Sequence, residues 1–178
     1  MLDLASFGEV FEATYIPTNE KRIAKRIKKT MVEDINLFKK EFLLIQQLDH
    51  PNISKVYELF EDNGDEYIYI TSQLLRGCDM MEKIYGHNFY SEEDVKSQIM
   101  PLAETISFLH SAGIIHRRVL PTNIIFDIGT GKEVLMLINF ALAEYAKNNK
   151  EFSQLDESPL FIAPEVYKTV KCGFKSDV

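Results

Sequence analysis

The chain has 178 residues, 46% of them hydrophobic and 26% charged, with 20 Lys+Arg against 27 Asp+Glu. That length suits one domain or two small lobes sharing a core, and the mildly acidic balance excludes the basic field of a nucleic-acid or membrane-surface binder. Cys78 and Cys172 stand far apart and make neither a C-x-x-C pair nor a disulfide framework, which points to a reducing compartment.

Met1-Leu2-Asp3-Leu4 lacks a basic segment ahead of an apolar core, so no signal peptide is expected. The longest apolar stretch, residues 134–143, is interrupted by Asn139 and is too short to span a bilayer. A soluble, cytoplasmic protein is expected. The polar tract 147–158 reads as a loop inside the domain.

In chain order, strand-like runs at residues 10–15 and 22–27 flank the turn Pro17-Thr18-Asn19 and form a hairpin. From residue 36 to residue 48, Leu37, Phe38, Leu44, Ile45 and Leu48 recur at helical spacing. Asp49-His50-Pro51-Asn52 ends that helix, because proline disfavours helical geometry in the residue before it. Two more strands, 55–61 and 67–71, are separated by the turn Asp62-Asn63-Gly64-Asp65. From Gly77 onward the pattern turns helical. Ser91-Glu92-Glu93-Asp94 is a capping-box start, followed by the stripe Val95, Ile99, Leu102, Ala103, Ile106 and Leu109, and Gly113 ends the helix. Next come His116-Arg117-Arg118-Val119-Leu120-Pro121-Thr122-Asn123, a short hairpin over 124–138, and an irregular segment reaching Ala163-Pro164-Glu165. Four strands with one helix, followed by a mainly helical part, make an α+β layout in two lobes, 1–75 and 76–178.

These stretches, in this order, resemble the serine/threonine protein kinase family, and in particular the calcium-dependent and calmodulin-dependent kinases. Leu48-Asp49-His50-Pro51-Asn52-Ile53 followed by Tyr57-Glu58-Leu59-Phe60-Glu61-Asp62 is similar to their junction between helix C and strand 4. The resemblance covers the chain from phosphate loop to A-P-E and slightly beyond. It implies a protein kinase-like two-lobe fold: an N-lobe antiparallel sheet with helix C, and a partial, mainly helical C-lobe. Asp177 matches the Asp opening the family's central C-lobe helix, which ties down the catalytic-loop backbone. The rest of that helix is absent from the sequence, so the apolar stripe of residues 95–109 is expected to be exposed, to be covered by a partner, or to belong to a longer chain.

Set beside the family's working parts, several positions have changed. The phosphate loop G-x-G-x-x-G-x-V corresponds to Asp3, Ala5 and Gly8 at the glycine positions, with Val10 kept. An acid at Asp3 would face polyphosphate, and like charges about 4 Å apart cost roughly 1–4 kcal/mol; an ordinary strand-turn-strand fits the same residues. The V-A-I-K motif reads Arg22-Ile23-Ala24-Lys25, so Lys25 matches the phosphate lysine and Glu41 its ion-pair partner. Ile23 replaces the small residue beneath adenine, with an overpacking cost of about 1–3 kcal/mol. Ser72-Gln73-Leu74-Leu75 resembles the hinge, where Gln73 and Leu75 would offer backbone groups to adenine, and Asp79 matches an acid that meets ribose. A strand running into a helix start explains these residues equally well. Val56, Ile45, His116 and Phe140 match the apolar stack joining the lobes, and Val10, Ile23 and Ile125 the stack completed by adenine.

The catalytic loop H-R-D-L-x-x-x-N keeps His116, Arg117 and Asn123 but has Arg118 in place of the base. A guanidinium stays protonated and has no acceptor lone pair, and Leu120 replaces the loop lysine. D-F-G appears as Asn139-Phe140-Ala141, so the two magnesium positions, Asn123 and Asn139, are both neutral amides, whereas magnesium prefers anionic oxygen. Glu157-Ser158 replaces the G-T of the substrate-facing loop, and Ser153 and Ser158 read as ordinary exposed loop serines, with phosphoacceptors for another kinase as the alternative. The resemblance implies a pseudokinase: a binding or scaffolding module with weak or no binding of ATP and magnesium, no intact catalytic set, and a protein partner such as a kinase or a kinase substrate. The alternative is an atypical ATP-dependent serine/threonine kinase of low activity, with Asp127 as stand-in base. No D-x-D-x-D-G loop for calcium occurs.

Overall fold

The computed structural model describes residues 3–5, 8–32, 34–61, 64, 66–86, 90–140, 143–146, 161–169 and 171–178. They fall into two compact units: residues 1–49 with 54–75, and residues 50–53 with 76–178.

The first unit is a five-stranded antiparallel sheet with one helix. Its strands are β1 (Asp3–Ala5), β2 (Gly8–Tyr15), β3 (Glu20–Lys28), β4 (Val56–Glu61) and β5 (Tyr67–Gln73), in the order β1-β2-β3-β5-β4. The hairpin at 10–27 and the strands at 55–61 and 67–71 are therefore present, and β1 is added to them. Asn19 takes the left-handed conformation (φ 59°) in the β2–β3 turn, a geometry asparagine tolerates better than most residues. The helix α1 (Ile35–Gln46) starts where the Asp34 carboxylate accepts the amides of Asn36 (2.9 Å) and Leu37 (3.0 Å), satisfying two donors that the first helical turn leaves orphaned. It packs against β4.

Strand register sorts the sheet into two faces. Val10 lies opposite Lys25, Glu12 opposite Ile23, and Ile23 opposite Ser72. Because directly opposed residues share a face and successive residues alternate, Val10, Ile23 and Lys25 stand with the buried Ile27 and Ile68. The other face carries a cation sandwich. The Arg22 side chain lies 4.0 Å from the Tyr15 ring centroid and 3.9 Å from that of Tyr57, and its nitrogens donate to Glu58 and Glu20 at 2.7–3.1 Å. Arg22 is only 7% exposed. Desolvation works against its charge, yet the two glutamates prevail and hold the pKa above its ordinary value. A planar guanidinium can stack and form forked hydrogen bonds at once.

The second unit holds α2 (Met80–Gly86), α3 (Glu92–Ser111) and α4 (Pro164–Thr169), a three-stranded sheet of β6 (Gly77–Asp79), β8 (Ile124–Asp127) and β9 (Val134–Leu137), and a pair formed by β7 (Ile114–Ile115) and β10 (Glu144–Tyr145). The helical pattern expected from Gly77 is corrected at its start: residues 77–79 form a strand paired with 125–127, and the helix begins at Met80. A three-residue strand has no periodicity of its own, so only its distant partner defines it.

Ser91 and Asp94 form the reciprocal cap of α3, and Gly113, at φ 76°, follows its end. Leu102, Ile106 and Leu109 of α3 are buried, whereas Val95 and Ile99 are each 45% exposed. The Asn52 carboxamide donates to Leu135 O at 2.8 Å, and Leu137 N donates to Asn52 O at 2.7 Å, fixing residues 50–53 to β9. No helix among the described residues is long and apolar enough to cross a membrane.

Gly8 is set by sheet geometry. Its φ is 144°, and a Cβ there would lie 2.0 Å from the Arg26 carbonyl oxygen, whereas a Cβ at Gly86 would meet nothing within 4 Å. The Gly8→Ala substitution is expected to cost roughly 1–3 kcal/mol or more, and Gly86→Ala less than about 1 kcal/mol. Urea melts of the two variants measure the difference, and equal losses would contradict the steric account.

Candidate functional site

The loop of residues 116–123 is held by one buried carboxylate. Asp177 Oδ2 accepts the His116 amide at 2.8 Å and Oδ1 accepts the Arg117 amide at 2.7 Å. His110 Nε2 lies 2.9 Å from the same Oδ2. Arg117 sits at φ 69°, a left-handed conformation that costs a non-glycine residue energy unless its surroundings fix it. Two successive amides on one carboxylate supply that constraint, since hydrogen bonds to an ionised acceptor are shorter and stronger than neutral ones. The family resemblance assigned this backbone-tying role to Asp177, and the geometry bears it out.

His116 is fully buried and its tautomer is determined by its partners. Arg118 N donates to Nδ1 at 3.2 Å, so the ring proton resides on Nε2, which donates to Ile138 O at 3.0 Å. The ring meets Phe140 edge-on, with centroids 4.7 Å apart at 77°. Burial, the largest influence, pushes the imidazole below its ordinary 6.5 and outweighs the opposing pull of Asp177.

Arg118 is 5% exposed. Its backbone oxygen accepts from Leu120 N and from the Asn123 side-chain nitrogen, both at 2.9 Å. Because a carbonyl only accepts, Asn123 must turn its Nδ2 toward Arg118 and its Oδ1 the other way. That oxygen receives Asn139 Nδ2 at 3.1 Å, and Ile138 N donates to Asn123 O at 3.0 Å. Asn139 is left-handed (φ 66°). The two residues expected at metal positions are thus brought together and hydrogen-bonded to each other.

This donor set does not fit magnesium. Both side chains are uncharged amides, and an N–H points at the oxygen a cation would need. Among the described residues no group of three or more His, Cys, Asp or Glu could hold a metal ion.

The residues expected to meet a nucleotide divide between the units. In the first, β1 pairs Asp3 with Val10 and Ala5 with Gly8, and Val10, Ile23 and Lys25 share a face; Glu41 lies on α1. Gln73 ends β5 opposite Arg22, with its amide donating to Lys55 O at 2.9 Å, and Leu75 follows in the connection. In the second unit, Asp79 and Ile125 lie opposite each other on β6 and β8. Asp79 caps α2: its Oδ1 accepts Glu82 N at 2.8 Å, and Glu82 Oε2 accepts Asp79 N at 3.3 Å. The D-x-x-E spacing carried that signal. Asp127, the stand-in base of the alternative reading, ends β8. It is buried, and its Oδ1 accepts the amides of Arg76 (2.6 Å) and Gly129 (3.3 Å), fixing the turn after β8. Ala141, Ser153, Glu157 and Ser158 lie outside the described residues.

The family described as protein kinase domain matches residues 5–178. The chain belongs to the protein kinase domain family. Its relatives include calcium-dependent protein kinase 5 of Plasmodium berghei (strain Anka), 32% identical over 167 residues, which are 94% of this chain and 29% of that protein. Calcium-dependent protein kinase 24 of Arabidopsis thaliana is 30% identical over 171 residues, covering 94% of this chain and 29% of the relative. The kinase-like chain thus spans less than a third of the length of either.

A histidine buried neutral makes stability depend on pH. Below about 6.5 the unfolded chain binds a proton that native His116 resists, so its contribution is complete above that value and declines as pH falls. Wild type is expected to lose more stability than His116→Gln between about pH 7.5 and about pH 5.5 in urea melts. Parallel profiles would contradict the buried neutral imidazole.

Proposed function

We propose that this protein kinase domain is a pseudokinase: it transfers no phosphate and acts by binding or scaffolding a protein partner, a kinase or a kinase substrate. The observation that carries the reading is Arg118, buried at the place where the family resemblance puts the proton-accepting Asp. In phosphoryl transfer that Asp orients the substrate hydroxyl and takes up its proton. A guanidinium can do neither, and loss of a positioned base is worth about 10²–10⁴-fold in rate. The neutral Asn123–Asn139 pair adds a second deficit at the metal positions. Ile23 on the sheet face it shares with Val10 and Lys25 supports weak or absent ATP binding. Cys78 and Cys172, both thiols, support a cytoplasmic location.

The reading treats the retained Lys25, Glu41 and Asn123 as architecture. Wild type, Lys25→Ala and the double variant Arg118→Asp/Asn139→Asp are to be compared for transfer of labelled phosphate from ATP with magnesium to a mixed serine/threonine peptide pool. Wild type is expected to match the Lys25→Ala background. Labelling by wild type that Lys25→Ala abolishes would establish the low-activity kinase instead.

A further inference from the structure

We infer that Asn139 replaces a divalent cation: its side-chain N–H bridges two loops that an ionised carboxylate at this position could join only through a metal ion. The chain of contacts runs Asn139 Nδ2 to Asn123 Oδ1 at 3.1 Å, then Asn123 Nδ2 to Arg118 O at 2.9 Å. The direction of these two bonds is fixed from the Arg118 end, because a backbone oxygen cannot donate. Asn123 is buried, and its backbone is pinned on both sides, by its own N donating to Leu120 O at 2.8 Å and by its O accepting Ile138 N at 3.0 Å. Asn123 therefore cannot turn its amide over to suit a different neighbour without losing the Arg118 contact.

Replacing Asn139 by an ionised aspartate exchanges the N–H for a second oxygen. Two oxygens at about this separation repel in a desolvated setting. A cation between them, or a proton on the carboxylate, would relieve that repulsion. In the natural sequence an amide hydrogen lies between Asn139 Nδ2 and Asn123 Oδ1, so joining residue 123 to residue 139 requires nothing from solution. This inference concerns how the loop is closed and is independent of whether phosphate is transferred.

The test is thermal unfolding of the whole chain, in EDTA and across a magnesium chloride titration, for wild type, Asn139→Asp and Asn139→Leu. Wild type is expected to melt at the same temperature throughout. Asn139→Asp is expected to melt roughly 3–8 °C lower in EDTA and to recover most of that loss in millimolar magnesium; Asn139→Leu is expected to be lowered and not to recover. Should Asn139→Asp fail to fold in EDTA, NMR of wild type decides: the side-chain amide protons of Asn123 and Asn139 are expected to exchange slowly and to be unmoved by magnesium. A wild-type melt that rises with magnesium, an Asn139→Asp variant indifferent to both EDTA and magnesium, or amide protons that exchange freely would each overturn the inference. Phosphate transfer by wild type would overturn the pseudokinase reading and leave this one intact.

Discussion

Two consecutive backbone amides, those of His116 and Arg117, rest on the one buried carboxylate of Asp177, and the geometry of the following loop depends on that clamp. It holds Arg117 in a left-handed conformation and brings the Arg118 amide onto the His116 ring. That contact fixes the proton on Nε2, which reaches Ile138 O. Hydrogen bonds to an ionised acceptor contribute about 1.5–3 kcal/mol each, so the pair is comparable with a substantial part of a small domain's net stability.

None of these interactions uses the Arg118 side chain. The Arg118 backbone takes part, through its amide to His116 and its oxygen to Leu120 and Asn123. An arginine can therefore stand at the base position while the loop keeps its shape. The same separation holds at Asn139, whose backbone tolerates φ 66° as asparagine readily does and whose side chain makes an internal bond. The loop's shape is retained by main-chain amides and carbonyls that the Asp177, His116 and Asn123 side chains hold, and Asn139 adds a side-chain bond of its own.

Much of the fold was legible in the sequence. The β2–β3 hairpin showed in two apolar-alternating runs about a proline-containing turn, and α3 in the Ser91–Asp94 cap followed by its stripe. What stayed hidden were β1, β6, β7 and β10, of two or three residues each, which are defined by the strands that pair with them. The site was legible in identity and not in geometry. The order of the motif positions identified Arg118, Asn123 and Asn139, but which amide atom faces which follows from the backbone oxygen of Arg118, and no residue pattern records that. The bonds that Asp79 and Asp127 make to neighbouring amides stayed hidden for a related reason: a carboxylate beside a helix start or a turn looks the same in sequence whether its oxygens serve a ligand or the neighbouring amides. Gly8 has a steric explanation of its own, since the Arg26 carbonyl excludes any Cβ.

The central claim is that this kinase-family chain keeps the loop of residues 116–123 closed without a metal-nucleotide complex. Calorimetric melting of the whole chain with ATP, in parallel with magnesium and with EDTA, addresses it directly. A ligand that binds only the folded state adds about 2.7 kcal/mol of stability at a hundredfold excess over its Kd. The account predicts that magnesium adds nothing to whatever shift ATP produces. A melting temperature several degrees higher with magnesium and ATP than with ATP in EDTA would contradict it.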